Sequence, residues 1–114
     1  MIYRYALSYL ETWKKNPMRK PLILRGARQV GKTTLVENFA TEFDCFLKLN
    51  LDEEEDRLLF TRYKEIHRLI EAIFFHLQKN PTEGSTLLFI DEIQNSPEAV
   101  AILRYFHEKR PDIY

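Results

Sequence analysis

The sequence predicts an α/β fold built on a parallel sheet. Two observations lead there. Short apolar runs at Leu22–Leu24, Cys45–Leu51 and Thr86–Asp91 alternate with longer segments of helical periodicity. The last of these runs is continuously apolar until Asp91, as expected for a strand covered on both faces. The chain has 114 residues, 45% of them apolar and 13% aromatic, which suffices for one small domain with a real core but not for two.

The elements follow in order. Ile2, Tyr5, Tyr9, Leu10 and Trp13 approximate one face of an amphipathic helix, which ends in the two prolines of Lys15–Pro21. Leu22–Leu24 is a short strand stopped by Gly26. Thr33 to Phe43 reads as a helix with Leu35, Val36, Phe39 and Phe43 on one side, and Cys45–Leu51 reads as the second strand. Asp52–Asp56 is a charge run. As a metal site it is weak, and a solvated loop or helix start suits it better, because acids favour the N-terminal end of the helix dipole. The clearest helix spans Lys64 to Lys79, with Ile66, Leu69, Ile70, Ile73, Phe74 and Leu77 on one stripe. Asn80–Ser85 is a turn before the third strand. Ser96 and Pro97 then open a last helix, a capping hydroxyl followed by proline at the first helical position, with Ala99, Ile102, Leu103 and Phe106 as its buried stripe. The expectation is three strands and about five helices, with no internal repeat.

Net charge is zero but unevenly spread. Residues 1–34 hold eight Lys and Arg against one acid, a net +7; the remainder holds nine against sixteen, a net −7. The positive part contains two of the three glycines, Gly26 and Gly31, which suits an anionic ligand. Nothing in this part of the chain calls for nucleic acid. No apolar run reaches the roughly 18 residues of a membrane helix, and Tyr3, Arg4, Ser8 and Tyr9 break up the start too much for a signal peptide. A single cysteine, Cys45, makes a reducing cytoplasm the default. It reads as a small buried hydrophobe, with a reactive thiol as the alternative.

The chemistry is concentrated in two stretches. Gly26-Ala27-Arg28-Gln29-Val30-Gly31-Lys32-Thr33 matches the phosphate-loop pattern G-x-x-x-x-G-K-[ST] throughout. With Gly near 7% of residues, a chance match in a chain this long has a probability of roughly a few in a thousand, so a coincidental glycine turn is the weaker reading. The glycines let successive N–H groups face inward, and the following helix aims its own N–H groups and dipole at the same point. Lys32 then reaches the β- and γ-phosphates and the Thr33 hydroxyl ligates Mg²⁺. Arg28 either touches phosphate or pairs outside the loop. The second stretch is Leu87–Glu92, four apolar residues running into two acids at the C-terminal end of a strand, where parallel sheets bind ligands. Asp91 suits Mg²⁺ held through its water shell, and Glu92 suits a water attacking the γ-phosphate.

Together these motifs resemble the AAA-type P-loop ATPases. "LILRGARQVGKTTL", "LLFIDEIQNSPE" and "LRYFHEKRPDIY" are similar to one prokaryotic group in which the ATPase domain precedes a C-terminal domain, nuclease-like in some relatives. The resemblance implies a P-loop NTPase-type parallel sheet with flanking helices, present here only as the front half of such a domain. Residues 1–20 would form an N-terminal helix and linker, and residues 21–114 the nucleotide-binding core. It implies ATP and Mg²⁺ as ligand and cofactor, a cradle from Gly26 through Thr34, Lys32 and Glu92 as catalytic residues, and Thr33 and Asp91 as metal ligands. Gln94 and Asn95 lie either near the γ-phosphate or in a simple turn. The strand order of the group, 5-1-4-3-2, places a fourth strand after Tyr114, between the first and third. The chain is therefore expected to be incomplete by itself, and either to self-associate or to continue into a further C-terminal portion. Arg104 and Arg110 read as surface residues rather than as an arginine finger.

Other classes fit less well. Asp91-Glu92-Ile93-Gln94 is not the D-x-x-G of GTPases, no N-K-x-D guanine signature occurs, and G-x-G-x-x-G is absent. His67, His76 and His107 lack zinc-type spacing. The alternative to an ATPase is a nucleotide-binding or interaction fragment without turnover.

Overall fold

Helix α1 spans Ile2–Lys15 and opens the chain in a computed structural model that describes residues 2–22, 30–81 and 84–114. Helix α2 (Val30–Ala40), strand β1 (Cys45–Asn50), helices α3 (Glu54–Arg62) and α4 (Ile66–His76), strand β2 (Thr86–Asp91), a 3-10 turn at Ile93–Asn95 and helix α5 (Pro97–Lys109) follow. The architecture is mixed α/β. The two strands pair in parallel, with Phe46 opposite Leu87, Leu47 opposite Leu88 and Asn50 opposite Asp91. The predicted first strand lies, beyond Leu22, outside the described residues.

The period of two along each strand sorts the core into two halves. Cys45, Leu47 and Leu49 of β1, with Leu88 and Ile90 of β2, join a cluster with residues of α3, α4 and α5, among them Phe60, Leu69, Ile73 and Phe106. Phe46 of β1 and Leu87 and Phe89 of β2 join a second cluster with Leu10 of α1 and Leu35, Val36 and Phe39 of α2. The sheet is therefore a middle layer with helices on both sides. This accounts for the continuous apolar run of β2, since both of its faces carry helices, with Thr86 and Leu87 buried and the rest half-buried.

Several helix ends follow from local chemistry. The Glu65 carboxylate accepts the Arg68 N–H at 2.8 Å and starts α4. Predicted to run to Lys79, α4 instead stops at His76. Gln78 takes the left-handed conformation (φ 55°), and the Lys79 N–H reaches back to the Phe74 carbonyl at 2.9 Å, closing a Schellman-type end. Ser96 caps α5 as expected, its hydroxyl accepting the Ala99 N–H at 3.1 Å ahead of Pro97. The acidic run behaves as a helix start, with Glu54, Glu55 and Asp56 in the first turn of α3.

Three expectations are corrected. Tyr9 does not belong to the buried stripe of α1. It is 62% exposed, while Leu7, Leu10 and Trp13, spaced three apart, face the second cluster. Helix α2 begins at Val30 rather than Thr33 and ends at Ala40, and Phe43 joins the core from the turn that follows. The strand beside β2 does not wait until after Tyr114. Ile113 bridges Thr86 in parallel, the Tyr114 N–H donates to the Thr86 carbonyl at 2.8 Å, and the Leu88 N–H donates to the Tyr114 carbonyl at 2.8 Å. The edge of β2 opposite β1 is thus already paired at its N-terminal end.

This third position is held from the N-terminal side of the chain. The Arg19 guanidinium lies 3.7 Å from the centre of the Tyr114 ring and donates to the Pro111 carbonyl. Phe43 meets the same ring edge-on at 5.1 Å, and Trp13 at 6.4 Å. Trp13 also donates its indole N–H to the Lys20 carbonyl at 2.7 Å, which fixes the segment between α1 and Leu22.

Candidate active site

The C-terminal ends of β1 and β2 lie side by side. Asn50 and Asp91 are register partners, and the Leu51 N–H continues the ladder to the Asp91 carbonyl at 3.0 Å. By the alternation of β2, Asp91 falls on the same face as Leu87 and Phe89, the side that carries α1 and α2. Val30, Gly31 and Lys32 form the first turn of α2, followed by half-buried Thr33 and exposed Thr34. Gly26, Ala27, Arg28 and Gln29 lie outside the described residues, as do the side chains of Val30 and Lys32.

Glu92 is held in an uncommon backbone conformation. Its φ of 57° and ψ of 43° are left-handed, which costs an L-residue roughly 1–2 kcal/mol. That conformation turns the chain sharply out of the strand and into the 3-10 turn. The Asp91 carboxylate compensates locally by accepting the Glu92 N–H at 3.0 Å. Strain of this kind gathers at functional positions. The Gln94 side-chain amide donates to Glu92 Oε1 at 2.6 Å.

Asn95 resolves to a turn role. Its amide donates to Asp52 Oδ1 at 2.6 Å and to the Leu51 carbonyl at 3.4 Å, tying the 3-10 turn to the end of β1. Arg57 reinforces the same point, donating to the carbonyls of Leu51 and Asp52 at 2.9 and 3.0 Å. Asp56 accepts the Asn50 N–H at 2.8 Å and meets His76 Nε2 at 2.7 Å, linking β1 to α3 and α4. Sequence reasoning could not find these partners. They lie 5 to 44 residues apart and carry no spacing signal.

Other candidate groups are engaged elsewhere. Cys45 is buried in the first cluster, and burial pushes its thiol up from the ordinary value, against a slight lowering by Lys79, which is the behaviour of an inert core cysteine. Arg110 forks onto Asp112 at 3.1 and 3.0 Å, and exposed Arg104 lies over the ring of its neighbour Tyr105. Among the described residues no cluster of three His, Cys, Asp or Glu could hold a metal.

A family model described as an AAA domain matches residues 18–114. The chain belongs to that family. No curated protein and no solved structure matches it. Membership makes this an AAA-type, ATPase-like domain, of a family that generally binds ATP with Mg²⁺. Helix α1 lies ahead of the matched segment, yet it packs on α2 and so belongs to the same core. No helix among the described residues is long and apolar enough to cross a membrane.

Proposed function

We propose that this AAA domain binds ATP with Mg²⁺ and supports its hydrolysis. The observation that carries the reading is the complete phosphate-loop pattern whose last residues form the first turn of an α-helix. Helix N-termini offer free N–H groups and a favourable dipole to phosphate. In this reading Gly26 through Thr34 cradle the phosphates, within a nucleotide-binding core of residues 21–114, and Lys32 neutralises the β- and γ-oxygens. Residues 1–20 serve as an N-terminal helix and linker that brace α2.

The donor set suits Mg²⁺. A hydroxyl from Thr33 and a carboxylate from Asp91 are hard oxygen ligands, and Mg²⁺ characteristically takes few protein ligands beside waters and phosphate oxygens. When bound, the ion withdraws charge from the phosphate oxygens. Glu92 orients a water and accepts its proton as the water oxygen attacks the γ-phosphorus. The bond to the bridging oxygen breaks, leaving ADP and inorganic phosphate.

The test has two arms. Lys32→Ala should weaken ATP binding by roughly 1.5–3 kcal/mol in calorimetry, the scale of a charge-assisted hydrogen bond; unchanged affinity overturns the assignment. Glu92→Gln should keep binding and leave only a residual rate of phosphate release. Arg104 and Arg110 are occupied by Tyr105 and Asp112, and an arginine finger is worth about 10³–10⁵ in rate. Turnover by the 114-residue chain is therefore expected to be slow, and a rate of about 1 s⁻¹ or faster would contradict that.

A further inference from the structure

We propose that Gln94 is a positioning residue for hydrolysis, acting through Glu92 by clamping its carboxylate. The inference rests on the reading of Glu92 as the group that orients the attacking water.

Three observations carry it. First, the contact joins an amide donor to a carboxylate oxygen at 2.6 Å, short even for a charge-assisted hydrogen bond. Second, the Glu92 backbone is already fixed. Its left-handed conformation and the bond from its N–H to Asp91 Oδ1 set the main chain, and the Gln94 amide holds one oxygen of the side chain. Third, the turn does not need the Gln94 side chain for its shape. The Asn95 N–H donates to the Glu92 carbonyl at 3.1 Å, the Ser96 N–H donates to the Ile93 carbonyl at 3.0 Å, and the Asn95 side chain ties the turn to Asp52. The Gln94 side chain is exposed, so it fills no core space either. What remains for it to do is hold one oxygen of Glu92.

Orientation is worth rate. A carboxylate that must meet a water in line with a γ-phosphate loses effectiveness when its torsions are free, and a misplacement of about 1 Å can cost on the order of 10²-fold. Because Gln94 acts on Glu92 and not on the phosphates, its loss should leave nucleotide affinity alone. It should also matter only while Glu92 is a carboxylate.

The experiment is single-turnover hydrolysis of ATP by the full chain in excess, alongside nucleotide binding by calorimetry. The variants are Gln94→Ala, Glu92→Gln and the double variant. Gln94→Ala is expected to slow hydrolysis about tenfold with ATP affinity and thermal midpoint unchanged, and to add nothing in the Glu92→Gln background. Full hydrolysis by Gln94→Ala, or an equal slowing in both backgrounds, overturns the proposal while leaving the phosphate-loop reading intact. Wild-type hydrolysis by Glu92→Gln overturns the role of Glu92 and this proposal with it. A second measurement needs no turnover. The Gln94 side-chain amide resonances should move toward free-amide positions in Glu92→Ala. If they stay in place, the clamp does not exist in solution and the proposal is overturned.

Discussion

Replacing Arg19 with alanine should destabilise the domain by about 2 kcal/mol, through three contributions and one offset. Arg19 is only 8% exposed although it is fully charged, and its guanidinium stacks on Tyr114 while donating to Pro111. A desolvated cation over an aromatic face contributes about 1–2 kcal/mol. The hydrogen bond adds little, about 0.5–1 kcal/mol, because Pro111 is exposed and water can take over its carbonyl. The buried methylene stem adds about 1–2 kcal/mol at the usual area coefficient. Against this, the wild-type side chain loses up to about 2 kcal/mol of rotamer entropy that alanine does not. The net lowers the folding equilibrium constant by about 30-fold. Urea unfolding followed by tryptophan fluorescence is the natural assay, since Trp13 packs against the same Tyr114 ring. With a slope of about 2 kcal/mol/M, the midpoint should fall by about 1 M. Arg19→Lys should recover only part of the loss, because an ammonium keeps the charge but not the planar stack. An unchanged midpoint in Arg19→Ala would refute the argument that this contact holds the third strand position against β2.

Gln78→Gly should stabilise the fold by about 0.5–1 kcal/mol in thermal or urea unfolding, because Gln78 ends α4 at a positive φ that glycine adopts without a Cβ penalty. Gly84→Ala should destabilise it, since a Cβ there would collide with the Asp44 carboxylate that accepts the Ser85 N–H; equal stability would show that Asp44 moves aside freely. Glu65→Gln tests a pH effect. The Arg68 N–H holds the Glu65 carboxyl below its ordinary range, so its contribution is present above the unfolded value and fades as pH falls through the lower folded one. The variant should therefore be less stable than wild type at pH 7 and equal to it in acid. A constant gap across pH would show that the cap does not act through charge.

The sequence by itself determined the class of fold and the face of most elements. Strands β1 and β2 are short and largely apolar, and the stripe Ile66, Leu69, Ile70, Ile73 and Phe74 recurs at helical spacing. Patterns of this kind follow from backbone period and the avoidance of water, so they survive in one dimension. The phosphate-loop pattern is legible as well, because its residues are consecutive. The tertiary structure decided the rest. It set which residues sit on the Tyr114 ring, that Asn95 serves the turn by reaching Asp52, and that the chain starts a third strand position at Ile113. It also set the left-handed backbone of Glu92, where a residue without special propensity is bent to the demands of a strand end and the turn beyond it. Such contacts join residues distant along the chain, and their energies depend on distance and burial rather than on order. No periodicity in the sequence encodes them; they exist only once the two halves of the core have closed on the sheet.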